Sequence, residues 1–307
     1  MTARADGASD ADAVFDRAAA FVAEMWRHHG PSSEMHVGDL AWGTFGRWPS
    51  RLGAVRLWSD GAGRPQALTM YDGTRVCDLV VRPGRAGTEA AEQAVDWAER
   101  VCAATATGGE SVDLRVGRRV QSPEVVDLLD ARGFRRDATG VPAMSRAIAA
   151  ADVDVPVIAD GYSIRPLHPD DLVSRVHAFN GAFPGEALRV DAYRALRGCR
   201  VYDPRLDVVA VSPASEVVAF ATLWLDTHNG VVQIEPAGCH PDHRRLGLTR
   251  AVILHALRRS VESGATSALV RHVSTNTAAR ALYESCGFTT VCEATGFTKT
   301  LRPAAVG

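Results

Sequence analysis

The chain has 307 residues, is 46% hydrophobic and carries a formal net charge of −2. That length can bury more than one core and suits two domains. The near-neutral charge argues against a dedicated nucleic-acid binder, which is usually strongly basic, and no apolar run is long enough to cross a bilayer as a helix. The six cysteines are scattered without a Cys-x-x-Cys pair, and the polar N-terminus lacks an apolar signal core, so a reducing cytoplasm is the expected setting.

In chain order, residues 11–29 read first as a helix. Val14, Phe15, Ala18, Val22, Met25 and Trp26 form one apolar stripe, and Gly30-Pro31 ends it. A strand follows at Leu79-Val-Val-Arg-Pro83, then a helical run at residues 88–104 and a second helix from Ser122 that stops at Gly133-Phe134. Residues 149–161 alternate polar and apolar, contain Pro156 and have no helical period, which marks a linker. Tyr162-Ser-Ile-Arg-Pro-Leu167 is a short strand, and His168-Pro-Asp-Asp opens a helix with acid at its positive end. A loop at residues 180–186 leads to a helix near residues 190–198. Two strands, 206–212 and 216–226, then form a hairpin turning at Pro213-Ala-Ser. Another β-like run, residues 230–239, leads into a loop and a helix at residues 249–263, then a strand at residues 265–271.

The loop Gly238-Cys-His-Pro-Asp-His-Arg-Arg-Leu-Gly-Leu-Thr249 has the makings of a phosphate cradle. The first turn of a helix has N–H groups without intrahelical partners and lies at the positive end of the macrodipole. Gly247 lets the backbone turn, and Arg244 and Arg245 add charged donors. Downstream, Asn276-Thr-Ala-Ala-Arg-Ala-Leu-Tyr-Glu-Ser-Cys-Gly-Phe288 places Asn276 at a helix start, Ala279, Leu282 and Tyr283 on one face, and Gly287 at the stop.

Together these segments resemble the GNAT superfamily of acyl-CoA N-acyltransferases. That family's Arg/Gln-x-x-Gly-x-Gly/Ala loop is matched by Arg244, Gly247 and Thr249. Its Asn-x-x-Ala-x-x-x-Tyr-x-x-x-Gly-Phe helix is matched in full, and the resemblance covers residues 162–301. Thr249 departs from the usual Gly or Ala.

The chain also repeats itself. Ser122 to Phe134 aligns with Asn276 to Phe288, Ala138-Thr-Gly140 with Ala294-Thr-Gly296, and Leu79 to Pro83 with Ala237 to Pro241. The expected fold class is therefore α/β: two tandem GNAT-like domains, each with a mixed, mostly antiparallel sheet flanked by helices. Residues 1–148 form a degenerate copy, 149–161 a linker and 162–307 the catalytic copy. In the first copy Ser122 stands for Asn276, Leu129 for Tyr283 and Cys77 for Glu235, and the stretch from Pro83 to Gly87 is two residues shorter than that from Pro241 to Gly247. Its expected work is structural, including walling the substrate cleft.

The resemblance implies an acetyl-CoA-dependent N-acetyltransferase, with acetyl-CoA or another acyl-CoA as co-substrate and direct attack by a primary amine. It assigns cofactor binding to Gly238, Cys239, Arg244, Arg245, Leu246, Gly247, Leu248, Thr249 and Asn276, and general acid to Tyr283. Glu235 is the expected general base: it lies on the strand entering the loop, and burial between Ile234 and Pro236 would raise its pKa. Phe183, Glu186 and Asp226 are the candidate acceptor contacts, the two acids suiting a cationic amine and serving as reserve bases. His240 and His243 flank Pro241 without a further ligand cluster, so no metal is expected. The expected partner is a small-molecule amine, with neither nucleic acid nor membrane; a homodimer is left open. The alternative function is a non-catalytic acyl-CoA-binding or assembly protein of tandem GNAT domains. The sequence does not separate an antibiotic, a polyamine, an amino acid or a protein as acceptor.

Overall fold

The computed structural model describes residues 4–5, 11–47, 55–106, 110–120, 122–149 and 152–302. The first half runs β1 (Arg4–Ala5), α1 (Ala11–His29), α2 (Val37–Ala41), β2 (Val55–Ser59), β3 (Pro65–Tyr71), β4 (Val76–Val81), α3 (Arg85–Ala103), β5 (Val112–Val120), α4 (Pro123–Ala131), β6 (Arg135–Gly140) and β7 (Ala143–Ala147). The second runs β8 (Ser163–Pro166), α5 (Leu172–Ala182), α6 (Val190–Arg197), β9 (Asp207–Val211), β10 (Val217–Asp226), β11 (Val231–Cys239), α7 (Leu248–Glu262), β12 (Ser267–Arg271), α8 (Thr277–Ser285), β13 (Thr289–Cys292) and β14 (Thr295–Leu301).

Among the described residues these strands form two seven-stranded sheets, ordered β1-β2-β3-β4-β5-β14-β6 and β13-β7-β12-β11-β10-β9-β8. Each sheet has one parallel pair, β4 with β5 and β11 with β12; the other pairings are antiparallel. Both sheets are thus mixed and mostly antiparallel, with helices on their faces, as the repeat implied.

The copies exchange a strand. The last strand of the chain, β14, lies in the first sheet between β5 and β6, with Lys299 opposite Leu114 and Thr298 opposite Arg135. Reciprocally, β7 lies in the second sheet between β12 and β13, with Leu269 opposite Ser145. The division at residues 149–161 therefore separates the copies in sequence but not in sheet membership.

One apolar core fills the space between the sheets. Leu57, Leu68, Met70 and Val80 of the first sheet and Val209, Val211, Phe220 and Trp224 of the second meet α1, α2, α5 and α6 there. The α1 stripe supplies Phe15, Ala18, Val22 and Met25 to this core. Helices α3 and α4 cover the outer face of the first sheet, where Leu129 and Cys77 are buried, and α7 and α8 cover that of the second. Helix α2 approaches β10 closely: a Cβ on Gly38 would lie 2.6 Å from the Trp224 side chain, so only glycine fits. That contact holds the next residue, Asp39, over the second sheet. Among the described residues, no helix is long and apolar enough to cross a membrane.

Candidate active site

The site begins where two strands part. Strand β11 pairs with β12 only from Val231 to Ile234, opposite Ser267 to Val270. On its other edge the register against β10 shifts between Ile234, opposite Leu223, and Ala237, opposite Ala221. Glu235 and Pro236 together face Thr222, a bulge that proline favours because it has no N–H to give the ladder. The Trp224 indole donates to the Glu235 carbonyl and fixes the bulge from beneath. No described strand pairs with the β12-facing edge of residues 235–239.

A cavity of about 290 Å³ opens at this split. Glu235, Pro236, Ala237, Asn276 and Tyr283 line it, so the two expected catalytic side chains are brought together. Phe183 lines it as well. Trp42, Met70, Asp39 and Asp78, all from the first copy, form a further part of the wall with Arg271 and His272.

Tyr283 is 7% exposed. Burial, then the charge of Glu235, then Cys286 push its phenol well above the ordinary value. The ring therefore keeps its proton at any working pH, as an acid must, but lies further from the pKa of a thiol than the unperturbed phenol would. Asn276 accepts the Ala279 N–H at 3.0 Å and caps α8.

The loop follows directly. Gly238 and Cys239 continue β11 out of the cavity, and a Cβ on Gly238 would meet Phe220 at 2.9 Å. Arg245 and Gly247 adopt left-handed backbone conformations, with φ of 67° and 71°. The first bond of the α7 ladder runs from the Ala251 N–H to the Gly247 carbonyl. The amides of Leu248, Thr249 and Arg250 precede that ladder. Arg244, Arg245, Leu246 and Gly247 are exposed. Arg244 donates to the carbonyls of Cys239 and Ala182, both at 3.4 Å. Burial pushes the Cys239 thiol up, against the opposing pull of Arg244 and Thr249.

In the first copy the turn into the helix is tighter. Helix α3 starts two residues after Pro83, and a Cβ on Gly87 would fall 1.8 Å from the Arg82 carbonyl oxygen. The Arg82 guanidinium grips Glu24 of α1 at 2.5 and 2.7 Å. Burial drives the Cys77 thiol, at the Glu235 position, well above its ordinary pKa.

Two of the expected acceptor contacts lie elsewhere. Asp226 is buried and caps the turn after β10, accepting from the His228 and Asn229 amides at 2.9 and 3.2 Å. Four residues of strand, about 13 Å, separate its cross-strand partner Val231 from Glu235. Glu186 is exposed on the loop after α5. His240 stacks on His177 with ring centroids 5.0 Å apart, and the His243 Nδ1 lies 2.9 Å from the Tyr162 hydroxyl. Among the described residues, no group of three or more His, Cys, Asp or Glu side chains is placed to hold a metal ion.

Sequence reasoning missed four polar wall residues. Asp39 accepts from Gln233 Nε2 and from its own capping partner, the His36 amide, both at 2.8 Å. Arg271 lies 3.4 Å from Asp39 and donates to the Ser33 carbonyl at 2.7 Å. His272 places Nδ1 2.9 Å from the Val273 carbonyl, which can only accept, and its buried Nε2 has no partner among the described residues. Asp78 is the acid in the otherwise apolar run Val76-Cys-Asp-Leu-Val-Val81, the one signal visible in advance.

Residues 175–288 match the Acetyltransferase (GNAT) family profile. No curated protein matches the chain by sequence. A GCN5-related N-acetyltransferase from Sphaerobacter thermophilus superposes with a TM-score of 0.66 at 18% identity, covering 98% of this chain and 96% of that one. A tandem GNAT protein from the clavulanic acid biosynthesis pathway gives 0.67 at 17% identity, covering 98% and 99%. A glucosamine N-acetyltransferase region of a fungal multi-domain β-N-acetylglucosaminidase gives 0.56 at 15% identity, over 97% of this chain and 38% of that one. With two sheets of matching order and two copies of the helix-and-loop pattern, the chain carries the GNAT acetyltransferase fold twice, in tandem.

Proposed function

We propose that the protein transfers an acyl group, acetyl in the simplest case, from acyl-CoA to a small primary amine. The observation that carries this reading is the meeting of Glu235 and Tyr283 in one cavity at the split between β11 and β12. The β12-facing edge of residues 236–239, beyond the last rung of the β11–β12 pairing, suits the amide-bearing arm of CoA, which pairs there as an added strand. The α7 amides and Arg245 suit its diphosphate. Glu235 takes a proton from the attacking nitrogen, directly or through water. The Cys239 amide region holds the oxygen as it gains charge, and Tyr283 returns a proton to the departing sulfur. Asn276, spent on capping α8, acts by keeping that helix and Tyr283 in register.

In this reading residues 1–148 are non-catalytic and serve as the cleft wall. Leu129 in place of Tyr283 has no proton to give, and Cys77 in place of Glu235 is a thiol buried in the core under α3 and held protonated by that burial. The test is release of free thiol from acetyl-CoA in the presence of an amine panel, with Glu235→Gln and Tyr283→Phe alongside. CoA binding without turnover on any amine overturns catalysis and favours an acyl-CoA-binding or assembly role.

A further inference from the structure

Two polar side chains of the cavity wall keep a group without a partner among the described residues. Asn276 caps α8. Arg271 and Asp39 face each other, with Gln233, the His36 amide and the Ser33 carbonyl among their partners. Glu235 is the base. His272 is anchored through Nδ1 and keeps a buried Nε2. The second, and the one acid among them, is Asp78.

Asp78 sits on β4, an inner strand between β3 and β5, and is 6% exposed. Its neighbours Cys77 and Leu79 point into the core under α3, so Asp78 shares the opposite face with Val80, which packs in the core between the sheets. An apolar side chain is the default there. No hydrogen bond or ion pair reaches the Asp78 side chain among the described residues, although it forms part of the cavity wall. A buried polar side chain without a hydrogen-bonding partner is costly, and a ligand in the cavity can supply that partner. The repeat adds to this. Counted back from Pro83 and Pro241, Asp78 corresponds to Pro236, so the first copy contributes an acid from the strand position beside its own lost base. Trp42, Met70 and Phe183 give the same cavity an apolar wall.

We propose that Asp78 binds a second cationic nitrogen on the acceptor, so that the substrate is a small diamine, or an amine carrying another ammonium or guanidinium group, with its reacting nitrogen at Glu235. This rests on the transfer reading above and narrows its acceptor class. The first copy is then the specificity element of a site whose chemistry belongs to the second.

The experiment compares α,ω-diamines from propane- to hexanediamine with n-alkylamines of the same carbon count, in the full-length protein and in Asp78→Asn. Calorimetry on the CoA-loaded protein reads recognition without turnover, and thiol release with acetyl-CoA reads transfer. The expected result is a diamine of one length that binds about tenfold or more tighter than its monoamine, a ratio that collapses toward one in Asp78→Asn. Without amine, Asp78→Asn should melt no lower than the parent, because the side chain makes no bond within the described protein that the change would break. Equal affinity for diamine and monoamine, a ratio unchanged in Asp78→Asn, or a lower melting temperature for that variant overturns the assignment. Absence of thiol release with any amine, while the diamine ratio still depends on Asp78, overturns the transfer reading and leaves the recognition site standing.

Discussion

The Asp39 carboxylate of the first copy accepts from the Gln233 amide on β11 of the second at 2.8 Å, while Arg271 approaches it to 3.4 Å. The Arg271 and Asp39 side chains are 4% and 5% exposed. This bond ties α2, which leads into the Trp42 wall, to the strand that carries the base. Removing one member of a buried charge pair strands the other, so Asp39→Ala should cost about 3–5 kcal/mol of stability. Denaturant unfolding measures it. A loss below 1 kcal/mol would mean that water reaches Arg271 and the pair is not a structural tie.

Proton transfer assigns the next outcomes. Glu235→Gln and Tyr283→Phe should each lower kcat by about 10²-fold while CoA affinity changes little. The pH behaviour of Tyr283 follows from its sign. Its pKa is raised in the folded protein, so the neutral form persists past the ordinary phenol value near 10. Activity should show no Tyr283-dependent decline on the alkaline side below about pH 10, and stability linked to this group should fall only above that. An alkaline limb near pH 8 that vanishes in Tyr283→Phe would contradict this.

The loop gives a separable test. A Cβ at Gly247 meets nothing within 4 Å, so Gly247→Ala is not a clash. Its cost is the left-handed backbone, about 1–2 kcal/mol for a residue with a Cβ. Relaxation of that strain should displace the amides ahead of α7 and weaken CoA by roughly tenfold, with kcat at saturating CoA largely kept. Calorimetry with CoA and steady-state kinetics separate the two effects.

Glu24 offers an acid-side prediction. The Arg82 hydrogen bonds lower its pKa to about 2, against opposition from burial. A depressed carboxylate contributes stability above its unfolded pKa, near 4.5, and loses it as pH falls toward about 2. Arg82→Met should therefore move the midpoint of acid unfolding upward, as followed by circular dichroism. An unchanged midpoint would show that the pair holds nothing at the end of β4.

Much of this was legible in the chain. Asn276 to Phe288 announced its own cap, apolar face and stop, and each is where the spacing put it. The hairpin, the open loop and the repeat were equally local. What was not legible joins residues far apart. Asp39 and Gln233 are separated by 194 positions, and the capping pattern at His36–Asp39 marks a helix start without naming its partner across the molecule. Asp226 was a candidate because an acid suits a cationic amine, but an aspartate at the end of a strand is also the natural cap of a tight turn. The exchange of β7 and β14 left no trace, because a short alternating strand fits the equivalent slot in either copy of a duplicated sheet. His272 follows β12 with no motif around it.

The exchanged strand also sets the order in which the molecule can finish itself. In the first sheet β6 has β14 as its described neighbour, and β14 follows every other described strand in the chain. The first sheet therefore stays incomplete until β14, from the far half of the chain, has been made. By the same token the halves cannot be inherited, expressed or swapped as modules, since each carries the other's missing piece.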